Sequence, residues 1–282
     1  MGSYLLGLYE KSMPHSLTVM EKLREAKGAG YDYLELSIDE TDEKLARLDW
    51  SEGEIAQLVQ GMRETGVPIK SICLSGHRKY PLGSPDVKTR ERSLEIMEKA
   101  VKLAAKLGVR IIQLAGYDVY YQEGNEETRG YFGENLKVAV EMAAKEGVVL
   151  GFETMETPFM DTVEKAMVWV NEIGSPYLQV YPDVGNLSNS ALVYGEDVIQ
   201  DLRLGVGHLV AVHLKETKPG IYREVPYGTG HVDFARVVEE SLAQGVRMFV
   251  GEFWDVGDGN WKEVLKENNL FLRGVLDGKQ RR

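Results

Sequence analysis

The chain has 282 residues, of which 43% are hydrophobic and 27% are charged, and its 33 basic and 44 acidic residues give a formal net charge of −11. This composition excludes a collagen, a disulfide-stabilised scaffold and a disordered protein. The acidic balance disfavours nucleic acid as a partner, since binding to a phosphate backbone needs a basic surface.

Cysteine content and hydropathy indicate where the protein acts. Cys73 is the only cysteine, so no disulfide can form within the chain, and a reducing setting is expected. No apolar run reaches the roughly 18 residues of a membrane helix, and residues 1–12 lack the pattern of a signal peptide. We therefore expect a cytoplasmic protein with no membrane partner.

Eight short apolar segments of strand-like composition recur along the chain, with amphipathic stretches between them. In chain order the predicted strands are Tyr4–Leu8, Tyr31–Ser37, Pro68–Leu74, Arg110–Ala115, Val148–Glu153, Leu178–Asp183, Leu209–Lys215 and Met248–Phe253. The stretches between them carry apolar residues at helical spacing, most clearly over Val87–Leu107 and Glu126–Lys145. Glycines that suit the left-handed end of a helix precede several strands: Gly30, Gly66, Gly108, Gly147, Gly174 and Gly245.

A strand followed by a helix, repeated eight times at a spacing of roughly 30 to 40 residues, is typical of a (β/α)8 barrel. An open doubly wound sheet is the alternative. It is disfavoured because no GxGxxG motif follows the first strand and no linker rich in Pro, Gly or Ser divides the chain. The prediction is an α/β fold, a single (β/α)8 TIM barrel domain over residues 1–282.

Four potential metal ligands lie at the carboxyl ends of consecutive predicted strands, where such barrels carry their working residues. Glu153, Asp183 and Glu252 end strands five, six and eight, and His213 lies in strand seven. Carboxylates this close together repel one another unless a cation holds them. The donor set suits Mn²⁺, and Zn²⁺ or Co²⁺ are acceptable. The alternative is that each residue is a separate capping or salt-bridge group.

Several long segments resemble one known family: SIDETDEKLARLDWS, CLSGHRKYPLGS, QLAGYDVYYQE, YPDVGNLS and VAVHLKETKPG. They look like the L-ribulose-5-phosphate 3-epimerases, also described as L-xylulose-5-phosphate 3-epimerases, of the xylose isomerase-like barrel superfamily. The similarity covers nearly the whole chain and thins after about Trp254. The resemblance implies a metal-dependent epimerase of a ketopentose phosphate with one divalent ion, and a homodimer. Its metal ligands match Glu153, Asp183, His213 and Glu252.

The predicted site has the groups that inversion at a carbon next to a ketone requires. A divalent cation polarises the ketone and stabilises the enediolate that develops. One base must remove the proton from one face, and a second acid must return it on the other. Glu153 and Glu252 are the candidates, and the superfamily resemblance gives the two glutamates the same double duty as ligands and acid/bases.

A second group of residues is predicted to bind the substrate. Ser75, His77 and Arg78 lie in a basic loop after strand three, which offers cations and backbone N–H groups to a phosphate. Related epimerases that act on free sugars are expected to have a histidine where this chain has Asn186. This difference argues against assigning a free sugar as the substrate of this chain. The remaining candidates are Glu156, Asn186, Lys215 and Lys218.

The leading hypothesis is interconversion of L-ribulose 5-phosphate and L-xylulose 5-phosphate at C3. An aldose–ketose isomerase, such as one acting on a hexulose 6-phosphate, would use the same site. Metal-dependent DNA repair on a sister barrel fold is disfavoured by the five scattered histidines and the net charge of −11. A non-catalytic sugar-binding or structural barrel is the rival outside enzymes.

Overall fold

Eight parallel strands curl around a packed interior, which confirms the predicted barrel. The computed structural model describes residues 4–280, so residues 1–3 and 281–282 of the predicted domain lie outside it. The strands are β1 Leu5–Tyr9, β2 Tyr33–Ile38, β3 Ile69–Leu74, β4 Ile111–Ala115, β5 Val149–Glu153, β6 Leu178–Val180, β7 Val212–Leu214 and β8 Met248–Gly251. Neighbours pair in the order β6-β5-β4-β3-β2-β1-β8-β7.

Helices follow every strand and cover the outside of the sheet. They are α1 Val19–Gly28, α2 Asp42–Ala46, α3 Glu52–Thr65, α4 Val87–Leu107, α5 Glu126–Glu146, α6 Val163–Ile173, α7 Val184–Tyr194, α8 Val198–Leu204, α9 Phe234–Ala243 and α10 Trp261–Gln280. The α4 helix begins after the side-chain cap of Asp86 and ends at Gly108, whose φ of +75° an L side chain rarely adopts. The six glycines predicted to close helices all have positive φ.

The barrel closes between β6 and β7 through a few backbone hydrogen bonds instead of a full ladder. Val210 N donates to Val180 O at 3.0 Å, and His213 N donates to Pro182 O at 2.9 Å. The sixth strand, predicted to reach Asp183, ends at Val180, because Pro182 has no N–H to donate to a ladder. Asp183 instead caps α7, and its Oδ1 accepts from Asn186 N at 2.8 Å. This cap fixes one predicted metal ligand at the carboxyl end of the barrel.

Aromatic side chains fill the barrel interior beneath the strand ends. The interior cluster consists of Tyr9, Tyr33, Cys73, Tyr181, Ala211 and Val250. A Cβ at Gly7 would lie 2.4 Å from the Tyr33 ring, and one at Gly151 would lie 3.0 Å from Tyr181 Cβ. The two glycines are therefore needed so that Tyr33 and Tyr181 can pack across the barrel, where they form a floor.

One buried ionic cluster fixes the end of β1. The Glu10 carboxylate lies 2.5 Å from Lys44 Nζ, 2.6 Å from Arg47 Nη1 and 3.0 Å from Lys22 Nζ, and all four side chains are buried. Burial raises the pKa of Glu10, but the hydrogen bond and charge of Arg47 and the two lysines together bring it well below the ordinary value. The cluster therefore links the β1 end to α1 and to the α2 region.

Replacing Glu10 with alanine should destabilise the fold strongly, because three buried cations would lose their shared anion. We expect a loss of about 3–5 kcal/mol in the free energy of unfolding, measured by urea denaturation. Glu98→Ala, which removes the exposed partner of Lys102, is the control and should cost about 0.5 kcal/mol or less. Equal, small losses for both variants would contradict this account of the cluster.

Candidate metal centre and substrate pocket

The four predicted ligands meet at one point. One donor atom from each of Glu153, Asp183, His213 and Glu252 lies within 4.8 Å of the others, and all four residues are buried. Measured from His213 Nδ1, the nearest carboxylate oxygens are Glu252 Oε2 at 3.1 Å, Glu153 Oε1 at 3.8 Å and Asp183 Oδ2 at 3.9 Å. They lie together because the carboxyl ends of all the parallel strands meet at the same end of a barrel.

The donor set fits a divalent cation. Asp183 Oδ2 is buried and pairs with Lys215 Nζ at 2.9 Å, and the same ammonium also lies 3.6 Å from Glu252 Oε2. One ammonium cannot balance three carboxylates buried this close together, and a divalent cation would supply the missing positive charge. Three carboxylates and one imidazole suit Mn²⁺, Zn²⁺ or Co²⁺. Glu153, Asp183, His213 and Glu252 are the residues that would hold the ion.

Burial and neighbouring charges separate the pKa values of the three carboxyl groups. Burial and the negative charge of Glu252 raise the pKa of Glu153 to about 8. Burial also raises the pKa of Asp183 to about 7, against the opposing effect of Lys215. Burial acts on Glu252 in the same sense, but the positive charges of Lys215 and His213 bring its pKa well below the ordinary value. Without a bound cation, the surroundings therefore favour the protonated form of Glu153 and the ionised form of Glu252.

A fourth buried carboxylate, Glu35 on β2, reaches the same imidazole and was missed by the sequence analysis. Glu35 Oε1 lies 2.6 Å from His213 Nε2, and Glu35 Oε2 accepts hydrogen bonds from Ser71 Oγ and Tyr181 OH at 2.7 and 2.8 Å. The only available signal was the alternation along YLELSI, which turns Tyr33, Glu35 and Ser37 to one face of the strand.

A cavity of about 60 Å³ opens directly above the cluster. Five of the predicted substrate-binding residues line it: Ser75, Arg78, Glu156, Asn186 and Lys215. Sequence reasoning missed Lys11, Arg223 and Trp254, which also line it. Arg223 belongs to the long segment between β7 and α9, where no spacing rule indicates which side chain turns inward.

Arg78 differs from the other cations of this cavity. Lys11 pairs with Asp39 at 2.5 Å, and Arg223 pairs with Glu156 at 3.3 Å. Arg78 has no carboxylate within 4.0 Å among residues 4–280; its guanidinium lies 4.8 Å from the Tyr120 ring centroid, and its buried Nε has no hydrogen-bond partner. A partly buried guanidinium without an anion is a ready site for an anionic ligand group.

Two predicted substrate-binding residues do not line the cavity. His77 is buried on the far side of its loop, with ring Nε2 3.1 Å from Ser93 O, and burial lowers its pKa to about 4. The structure thus places His77 away from the cavity lining, in surroundings that disfavour the charged form of its ring. Lys218 is exposed, in a backbone bridge with Ile221 outside the lining.

The other predicted contacts have defined partners. Lys215 Nζ donates to Asn186 Oδ1 at 2.8 Å and lies 3.6 Å from Glu252 Oε2. Asn186 Nδ2 donates to Thr154 O at 2.8 Å, which settles the direction of its amide. Glu156 Oε1 accepts from Tyr120 OH at 3.0 Å. These hydrogen bonds hold polar atoms in fixed directions around the cavity.

Comparison with known proteins agrees with this architecture. The family model described as xylose isomerase-like TIM barrel matches residues 23–274. An L-ribulose-5-phosphate 3-epimerase UlaE of Shigella boydii serotype 18 is 50% identical over 263 residues, which cover 93% of this chain and 91% of the relative. A solved structure of L-ribulose 3-epimerase superimposes with a TM-score of 0.79 at 18% identity, covering 99% of this chain and 96% of the other.

A further solved neighbour was crystallised with a metal ion. This protein is a xylose isomerase-like TIM barrel from Mycobacterium smegmatis in complex with magnesium. The superposition has a TM-score of 0.71 at 16% identity and covers 99% of each chain.

In the described part of this chain, no helix is long and apolar enough to cross a membrane.

The chain therefore belongs to the xylose isomerase-like TIM barrel family. Within that family it is a homologue of the L-ribulose-5-phosphate 3-epimerases, and it is an enzyme of the isomerase class.

Metal binding should depend on pH between about 6 and 8. Glu153, with a pKa of about 8, and Asp183, with a pKa of about 7, must lose their protons to bind a cation, so affinity should rise with pH. Burial lowers the pKa of His213, but the charges of Glu35 and Glu252 bring it well above the ordinary value, so the ring must also release a proton to bind a cation. Calorimetric titration of Mn²⁺ at pH 7, in buffers of different ionisation enthalpy, should therefore report release of about two to three protons. Affinity that stays constant from pH 6 to 8 would contradict these protonation states.

Proposed function

We propose that this enzyme is a metal-dependent 3-epimerase of a ketopentose 5-phosphate and interconverts L-ribulose 5-phosphate and L-xylulose 5-phosphate. The observation that carries the proposal is one buried cluster in which Glu153, Asp183, His213 and Glu252 bring one donor atom each within 4.8 Å of the others. The 50% identity to L-ribulose-5-phosphate 3-epimerases supports the choice of substrate.

Glu153 and Glu252 would exchange the proton at C3. When bound, a divalent cation polarises the ketone and stabilises the enediolate. One glutamate takes the C3 proton while the C–H electrons move toward the ketone, and the other returns a proton to C3 from the opposite face. Groups whose surroundings separate their pKa values suit paired acid and base roles. The direction of the reaction decides which glutamate acts first.

Polar groups around the cluster would orient the sugar. Lys215 stays charged between Asp183 and Glu252, where its ammonium can donate to an oxygen of the substrate. Asn186 is held beside it, and Glu156 faces the same cavity from the loop after β5. Fixed donors and acceptors of this kind align the C3–H bond with the two carboxylates.

Arg78, with Ser75 beside it, would bind the phosphate. Arg78 is the cation of this cavity that has no carboxylate partner among the described residues, and a guanidinium can bind two phosphate oxygens at once. Four further expectations stay predictions: the cytoplasmic location, the homodimer, the lack of nucleic-acid and membrane partners, and the choice among Mn²⁺, Zn²⁺ and Co²⁺.

Catalysis in deuterated water should place deuterium at C3. We expect L-xylulose 5-phosphate with the Mn²⁺-loaded enzyme to acquire deuterium there, detected by NMR. Glu153→Gln and Glu252→Gln should each lower turnover by about 10²–10⁴-fold, because each removes one acid/base, while the thermal melt stays near that of the wild type. Deuterium at C1 or C2 would instead support an aldose–ketose isomerase, and unchanged turnover in both variants would overturn the two-glutamate mechanism.

Replacing Arg78 should impair phosphorylated substrates selectively. For Arg78→Gln we expect kcat/KM for L-xylulose 5-phosphate to fall by about 10²-fold or more, because a charge-assisted hydrogen bond is lost, while kcat/KM for unphosphorylated L-xylulose stays near its own wild-type value. Lys79→Gln, which removes an exposed cation from the same loop, is the matched control. Equal effects of the two variants would argue against a phosphate site at Arg78.

A further inference from the structure

Glu35 has an environment that packing alone does not explain. Its side chain is fully buried inside the barrel, and the ionisable group that it contacts is the His213 imidazole. Burying a carboxylate is expensive unless its oxygens are well paired, and apolar replacements of buried ion pairs are often neutral or stabilising. A buried carboxylate at this position therefore needs an explanation other than stabilisation of the fold.

Each oxygen of Glu35 has its own fixed partners. Oε2 accepts hydrogen bonds from Ser71 Oγ, on β3, and from Tyr181 OH, directly after β6. This leaves Oε1 facing His213 Nε2 at 2.6 Å. An ionised carboxylate only accepts, so Nε2 must carry a proton and donate it.

The ring has one other nitrogen, and it faces the metal-binding cluster. His213 Nδ1 is the ring nitrogen that lies within 4 Å of carboxylate oxygens of Glu252, Glu153 and Asp183. The side-chain nitrogen of Gln113 also lies 3.1 Å from Nδ1 and 3.4 Å from Nε2. When Nε2 keeps its proton, the Nδ1 lone pair is the one available to a metal ion. The Tyr181 ring packs against the imidazole with centroids 5.0 Å apart, so the ring is also held in place sterically.

We propose that Glu35 is a positioning residue that holds His213 as the Nε2–H tautomer and so presents Nδ1 to the divalent ion. The inference rests on the proposed metal centre. Glu35 touches neither the ion nor the substrate in this role; it acts through the imidazole. Ser71 and Tyr181 in turn fix the direction of the Glu35 carboxylate, so this hydrogen-bond network determines the orientation of His213 Nδ1.

The first test observes the tautomer of His213 directly in the wild-type protein. In protein labelled with ¹⁵N-histidine and loaded with Zn²⁺, we expect His213 Nε2 to carry a slowly exchanging proton and Nδ1 to show the metal-bound shift. His213→Gln, which removes one pair of ring signals, provides the assignment. A Zn²⁺-loaded wild type in which Nδ1 carries the proton and Nε2 binds the ion would overturn the proposal.

The second test measures metal affinity in the apoprotein by calorimetry with Zn²⁺. Glu35→Gln and Glu35→Leu should raise the Kd by about 10–100-fold, because the donor ring loses its fixed tautomer. Ser71→Ala, a milder change that leaves Tyr181 in place, should give a smaller rise in the same direction. Asp201→Asn is the matched control, since Asp201 is a buried carboxylate on α8 that accepts from the backbone of α6.

The outcomes separate this proposal from the function on which it rests. A wild type that binds no divalent ion refutes the proposed metal centre itself. A wild type that binds, with Glu35 and Ser71 variants that match its Kd, refutes only the role of Glu35. Kd changes of equal size in the Asp201 control would also refute it, because they would reflect loss of stability. If the Glu35 variants do not fold, Ser71→Ala and the tautomer measurement still decide.

Discussion

Concentrated negative charge at the centre of the barrel is the constraint on which the site depends. Glu35, Glu153, Asp183 and Glu252 all lie around His213, and each is buried. Carboxylates in such proximity either take up protons or require cations. Lys215 supplies one positive charge, and the raised pKa values of Glu153 and Asp183 show how much remains uncompensated. A divalent ion is the simplest complement of this arrangement.

The two halves of the barrel contribute different groups to the site. Strands β5 to β8 and the residues directly after them supply the four candidate ligands. Strands β1 to β3 supply the supporting groups: Glu35 behind the imidazole, Lys11 and Ser75 at the cavity, and Arg78 after β3. Glu10 and its three cations fix the loops of this half without entering the cavity lining. The candidate metal ligands and the groups that support them thus come from opposite sides of the barrel.

The fold and the candidate ligands could be read from the sequence because both follow local rules. Apolar runs, helix-closing glycines and polar residues at strand ends recur with every unit, so Glu153 and His213 stood out by position alone. Glu35 did not, because it sits within a strand and its partner is 178 residues away. The separation of His77 from Arg78 could not be predicted either. Only Arg78 of the short 3₁₀ turn over Gly76–Arg78 lines the cavity with its side chain, and composition does not indicate which residue of such a turn does so.

The tyrosine floor has a consequence for the order of events in the site. Tyr33 and Tyr181 occupy the space that Gly7 and Gly151 leave, so the bore of the barrel is blocked beneath the cluster. An ion held by Glu153 and its neighbours can then exchange with solvent only through the cavity above. A sugar bound in that cavity lies across the same path. Occupancy by substrate should therefore trap the metal kinetically, whatever its equilibrium affinity, and ion exchange should be confined to the interval between turnovers.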